Sequence, residues 1–174
     1  MIAYFAKYGS FFVQGALTTL WMSLGSVICG TLLGIGIALL RTVNKYVGII
    51  GTAYVEYTRG TPLMVQAIII YYLPALINVN INKYLAGLVA ISLNSAAYVA
   101  EIIRGGINSV DKGQMEAARS LGMPQGLAMR QVVLPQAIKN ILPSLANEFV
   151  AVIKESSIIS VIASSISQIR TRMT

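Results

Sequence analysis

An all-α, multi-pass membrane domain is the fold class this sequence predicts, and three observations predict it. Hydrophobic residues make up 56% of the 174 and charged residues only 11%, where a soluble domain carries about a quarter charged. Residues 11–40 contain no charge at all, and neither do residues 61–82. The basic residues gather in the short stretches between such runs, as they do in membrane proteins. One membrane domain of a few helices therefore accounts for residues 1–174, with no room for a second globular domain.

Composition also limits the chemistry. Histidine is absent, which removes histidine metal sites and histidine general bases. The lone Cys29 cannot form an internal disulfide. No catalytic residue, metal site or cofactor on this chain is expected. A net charge of +7 would suggest nucleic acid in a soluble protein. With a mean hydropathy of +0.71 it instead marks loops at the cytoplasmic face, and the expected surroundings are a lipid bilayer.

Taken in order, residues 11–40 form the first spanning helix. At 1.5 Å per residue they make about 45 Å of helix, longer than a hydrocarbon core of roughly 30 Å, so the helix tilts or projects. A signal peptide has a shorter apolar core and a basic start, whereas residues 1–10 hold only Lys7. Ser26, Gly30, Gly34 and Ala38 recur every four residues, a stripe that admits another backbone closely. Packing inside one bundle and a dimer face both remain open for it. Residues 41–45 read as a basic turn and residues 46–55 as moderately apolar. The second spanning helix is expected to begin near the break at residues 56–62 and to end near Ile77, with Pro62 tolerated at its start. A polar turn at residues 78–83 leads into a third helix over residues 84–104, which carries Asn94, Ser95, Tyr98 and Glu101.

The loop at residues 105–139 holds Lys112, Arg119, Arg130 and Lys139 against Asp111 and Glu116. Placing it in the cytoplasm puts Arg41 and Lys45 there too, leaves Lys83 outside, and sets the N-terminus outside. Asp111 and Gln114 have capping-box spacing, and Gly122 followed by Pro124 suits a helix end, which predicts a short helix over residues 112–121. A second short helix is expected over residues 124–133, with a bend at Leu134-Pro135. These helices either lie on the membrane without further role or present a surface to a partner.

The last apolar segment, residues 140–163, contains Glu148, Lys154 and Glu155. Glu148 and Glu155 are seven apart and share a helical face. Charges at that depth line a solute pathway or pair with each other, here through Lys154, and both readings stand.

At this point a family resemblance emerges. Glu116-Ala117-Ala118, three residues, Gly122, nine residues, Val132 (where the family usually has Ile), one residue and Leu134-Pro135 resemble the cytoplasmic loop of bacterial type I ABC importer permeases, in the polar amino-acid uptake group. Glu56 with Arg59-Gly60-Thr61-Pro62, then Asn94-Ser95 through Glu101 and Arg104, and Lys154-Glu155-Ser156-Ser157 are similar to further signatures of that group. The resemblance covers residues 10–165.

It implies a multi-pass protein of the bacterial plasma (inner) membrane with about four spanning helices here. Because the group continues past Ile169 into another helix, the chain is expected to be truncated and to lack the last one, with Arg170 and Arg172 left on the outer face. It implies partners: cytoplasmic ABC ATPase subunits, a second permease chain in a homo- or heterodimer, and an extracytoplasmic amino-acid-binding protein. No Gly-x4-Gly-Lys-Ser/Thr stretch occurs here, so ATP and Mg belong to the partner ATPase and the chain is not itself an enzyme. Glu116, Ala117, Ala118, Arg119, Gly122, Leu134 and Pro135 become ATPase-coupling candidates. Asn94, Ser95, Tyr98, Glu101, Glu148 and Glu155 become candidates for the substrate pathway. The rival readings are a passive channel subunit, a membrane enzyme using Glu148 and Glu155 as an acid–base pair, and a truncated, non-functional permease.

Overall fold

The computed structural model describes residues 2–158, and every regular element among them is a helix. The expected end of the last apolar segment near residue 163, and the placement of Arg170 and Arg172, lie outside the described residues.

Helix α1 (Ile2–Val43) is continuous over 42 residues. The expected basic turn shrinks to a single residue. Asn44 is extended, and its side chain accepts the Val47 N–H at 2.9 Å, so α2 (Lys45–Gly60) starts at once under a favourable N-cap. One flank of α1 exposes Phe11, Leu17, Trp21, Leu24, Ile28 and Leu32, the surface a helix presents to lipid.

Its opposite flank packs on α4 (Lys83–Asn108), and the small-residue stripe explains how. A Cβ placed on Gly30 would sit 2.9 Å from the Ser95 Cβ, and one on Gly34 would sit 2.7 Å from the Val99 Cβ and 2.9 Å from the Ala96 carbonyl oxygen. The stripe is thus occupied inside the chain, which decides between the two readings left open above. Because Gly30 meets Ser95, Gly34 meets Val99, and Arg41 reaches Glu101, α1 and α4 run parallel. Two spanning segments with one further span between them have that sense, as the expected order of spans requires.

The second spanning element starts past the break expected at residues 56–62 and reaches Ile77, but it is set at a steep angle to the helix before it. Helix α2 stops at Gly60, Thr61 and Pro62 are extended, and α3 (Leu63–Tyr72) departs at 104°. The residue before a proline is pushed out of the helical region, so the break falls at Thr61. Helix α3 and the 3-10 turn Pro74–Ile77 run back along α4. The turn closes on Asn78 in the left-handed conformation, φ 61, which Asn tolerates better than most side chains.

Beyond α4, Asp111 caps α5 (Lys112–Ser120) by accepting the Gly113 N–H at 2.7 Å. Gln114 does not return the bond that a full capping box requires; its amide oxygen accepts from Gln136 at 3.3 Å instead. The bend expected at Leu134-Pro135 is also absent. Helix α6 (Gln125–Ala128), a π turn (Met129–Val133) and α7 (Leu134–Glu155) follow one another with helical backbone throughout. The Leu134 N–H bonds the Met129 carbonyl five residues back. This wider turn absorbs the misfit of Pro135, whose missing N–H costs little in a first turn.

Helix α7 returns antiparallel along α4. Ile141 and Ala137 lie on Gly106 near one end, and Val152 meets Ile91 near the other. Among the described residues two helices are long and apolar enough to span a membrane, or three spans if the bent pair counts as one. Its 22 residues and its packing put α7 at the same depth, while its charges keep it from qualifying on composition. The buried residues lie along the α1–α4 and α4–α7 seams.

Candidate functional site

Two groups of candidate residues sit on this frame. The first is the α5 loop. Gly122 has φ +86, Met123 N–H bonds the Ala118 carbonyl at 3.2 Å, and Gly122 N–H bonds the Arg119 carbonyl at 2.9 Å. That is a Schellman closure, which needs a residue without a Cβ at this position. Met115 turns inward on the cluster of Val110, Val133 and Ala137, tying α5 to the π turn and α7, and Ala118 is buried beside it on the same helix. Glu116, Ala117 and Arg119 face outward, Leu121 is 85% exposed, and neither Glu116 nor Arg119 is in an ion pair among the described residues. Leu134 is half-buried and Pro135 exposed on the following helix.

Ala118 therefore props the loop from within, and of the two alanines only Ala117 offers a surface. Gln136 was not singled out from the sequence. Its Nε2 donates to Gln114 Oε1 at 3.3 Å and to the Val132 carbonyl at 2.9 Å, tying α5 to the start of α7. Asn140 does the same for the end of α4, donating to Ser109 Oγ at 2.9 Å.

The second group lies along α4. Asn94 is 4% exposed and Ser95 1% exposed. Asn94 donates to Gln66 Oε1 at 3.4 Å, while Gln66 Nε2 donates to the Thr58 carbonyl at 2.8 Å and to Thr61 Oγ1 at 2.7 Å. This one side chain latches α3 to the end of α2 across the 104° break. A Gln66→Leu variant is expected to lose about 1–3 kcal/mol by leaving those acceptors without a donor, read as a lower thermal midpoint in detergent. An unchanged midpoint would show that the break holds without the latch. A lone amide in an otherwise apolar run was the sequence signal for it.

Glu101 and Tyr98 stand apart from Asn94. Arg41 reaches the Glu101 carboxylate at 3.2 Å and Arg59 at 3.9 Å, and Arg104 binds it from the next turn of α4. Arg59 also lies over the Tyr98 ring, 5.2 Å from its centroid. The side chain of Glu101 is 22% exposed, so three cations from α1, α2 and α4 converge on a largely enclosed carboxylate.

Glu148 and Glu155 differ in kind. Both are half-buried on the face of α7 that meets α4, Glu148 lies beside Ser95, and the two carboxylates are close enough for their charges to interact. Lys154 is exposed and pairs with neither among the described residues. The internal pairing considered for them is not made. Elsewhere among the described residues, Ser23, Ser26 and Ser92 carry buried hydroxyls with no hydrogen-bond partner.

Residues 30–172 match the family described as the binding-protein-dependent transport system inner membrane component. The chain belongs to that family. This permease is 46% identical over 167 residues to the putative glutamine transport system permease protein GlnP of Rickettsia prowazekii (strain Madrid E), covering 93% of this chain and 77% of that one. It is 46% identical over 155 residues to the arginine transport system permease protein ArtQ of Bacillus subtilis (strain 168), covering 87% and 70%. A crystal structure of an amino acid ABC transporter with histidines superposes with a TM-score of 0.90 at 48% identity, over 94% of the permease and 77% of that chain. An inward-facing structure of the MetNI methionine ABC transporter shares the fold at 19% identity, with a TM-score of 0.73 over 90% and 76%. The permease is thus a membrane subunit of an ABC importer and resides in the inner membrane.

Proposed function

We propose that this permease forms half of an amino-acid pathway and takes its energy from a separate ATPase through α5. The observation that carries this reading is the two-faced build of the helix. Its inward face is tied to α7 by Met115 and the Gln114–Gln136 bond, while Glu116, Ala117, Arg119 and Leu121 are exposed and neither charge is in an ion pair among the described residues. A push on the outer face is then transmitted as a rigid body into α7 and the α4–α7 seam. In this reading the loop of residues 105–139 is cytoplasmic, the N-terminus is outside, and ATP and Mg stay on the partner. A second permease chain, identical or related, completes the pathway, and a binding protein delivers the solute from outside.

The relatives that transport glutamine and arginine support an amino-acid substrate. Glu148 and Glu155, which have no basic partner among the described residues, are the groups we assign to its positive charge, with Ser95 beside Glu148. Asn94 acts behind them through Gln66.

The test is uptake and ATP hydrolysis in liposomes carrying the whole importer. Glu116→Lys reverses a surface charge, and Gly122→Val forces a β-branched residue to φ +86, a genuine outlier conformation for such a residue. Each is expected to cut uptake per ATP hydrolysed by about tenfold, equivalent to roughly 1.4 kcal/mol of lost coupling. Normal coupling in both variants overturns the assigned role. Glu148→Gln is expected to weaken transport of cationic amino acids more than that of neutral ones; equal loss on both returns Glu148 to a packing role.

A further inference from the structure

A cavity of about 770 Å³ lies between the end of α1, the start of α2 and the last turns of α4. It is separate from α5 and from the Glu148–Glu155 face. Arg41, Lys45 and Arg104 line it, with Glu56 as the one carboxylate of the lining, and Ile49 and Ile103 give it an apolar wall. Behind the wall Glu101 engages Arg41 and Arg104. Lys45 makes no ion pair among the described residues.

Three features single out an anion. Lys45 is the first residue of α2, and that first turn holds no acidic residue. A helix N-terminus already favours negative charge, so Lys45 adds a positive charge to an end whose only side-chain cap is the neutral Asn44. Arg41 is held in place by absent side chains: a Cβ on Gly51 would lie 2.8 Å from the Arg41 Cγ, and one on Gly48 would lie 3.1 Å from the Arg41 carbonyl oxygen. The cavity is therefore built around its arginine.

The apolar wall and the depth decide which anion. Ile49 lines the cavity and is also 56% exposed, a contact that a free phosphate cannot use. The site begins just past the charge-free run of residues 11–40, at the level where headgroups lie. Two of the three cations are already shared with Glu101, and Glu56 adds a negative charge to the lining, which suits a singly charged phosphodiester better than a dianion. We propose that this cavity binds the headgroup of an anionic glycerophospholipid, with its acyl chains against Ile49. Basic pockets between spanning helices are recognised sites for such headgroups. The proposal rests on membrane placement of α1 and is independent of the coupling and substrate readings above.

The experiment is native mass spectrometry of the purified importer after exchange into bilayers of phosphatidylglycerol mixed with phosphatidylcholine. Wild type is expected to retain phosphatidylglycerol over phosphatidylcholine, and Lys45→Gln to lower that retention about fivefold, the effect of one lysine on an anionic headgroup. Lys112→Gln, an exposed lysine outside the cavity, is the control and is expected to leave retention unchanged. Ile49→Gln should lower retention without loss of any charge. Equal retention by wild type and Lys45→Gln overturns the proposal. Displacement of the lipid by inorganic phosphate alone also overturns it, by showing a site for the free anion. Transport need not be measured, so failure here leaves the importer reading intact, and failure of coupling leaves this site intact.

Discussion

A leucine at position 34 is expected to separate α1 from α4 and to prevent accumulation of folded protein at growth temperature. Even the first side-chain carbon would lie 2.7 Å from both the Cβ and Cγ1 of Val99 and 2.9 Å from the Ala96 carbonyl oxygen. One of those atoms is backbone and two belong to a β-branched residue that is 1% exposed, so no flexible tip can swing aside. Overpacking typically costs about 1–3 kcal/mol, and here the cost falls at or above the upper limit because whole helices must move. Against a net stability of roughly 5–15 kcal/mol that is a large fraction. Gly36→Leu is the matched control, since nothing lies within 4 Å of a Cβ at Gly36. Thermal midpoints and yields in detergent decide the matter. If the two leucine variants melt together, the parallel α1–α4 crossing described here is wrong.

The second large effect is expected at Glu101. Replacing it by glutamine keeps the shape and leaves Arg41, Arg59 and Arg104 converging without a counter-charge. Removing one partner from a fully buried pair costs about 3–5 kcal/mol. With Glu101 22% and Arg104 50% exposed, water screens part of this, and about 2 kcal/mol is the expected loss. Arg41 is the better-enclosed partner, 15% exposed, so Arg41→Gln combined with Glu101→Gln should recover more stability than Arg104→Gln combined with it. A double-mutant cycle in detergent reads this directly. The same variants separate two roles for Glu101. A clamp between α1, α2 and α4 predicts lost stability at unchanged substrate preference. Altered preference at unchanged stability would instead restore Glu101 to the solute pathway.

Several functional features were legible because their causes are local. Asp111 and Gly122 bracket α5 through bonds that span two to five residues, and charge-free runs mark spanning helices wherever the rest of the chain goes. The bend at residues 60–63 was visible in Thr61-Pro62, although its angle of 104° was not. Leu134-Pro135 misled for the opposite reason. The Leu-Pro step reads as a bend in sequence, whereas the π turn before it lets the helix run on. Ala117 and Ala118 looked equivalent as letters, yet a rotation of one residue buries the second and leaves the first exposed.

By itself the sequence determined that this is a helical membrane protein, where α5 begins and ends and where α4 begins to within a turn, and which loop carries the family's motif. Each follows from short-range rules of capping, turn geometry and apolar length. Only the tertiary structure decided that Gly30 and Gly34 face α4 within the same chain, that Glu101 is claimed by Arg41 from 60 residues away, and that Glu148 and Glu155 have no basic partner among the described residues. Those outcomes depend on which helices run side by side and in which sense. Once α1 and α4 lie parallel, close approach at the glycines brings Arg41 level with Glu101 and leaves the carboxylates of α7 facing the polar seam.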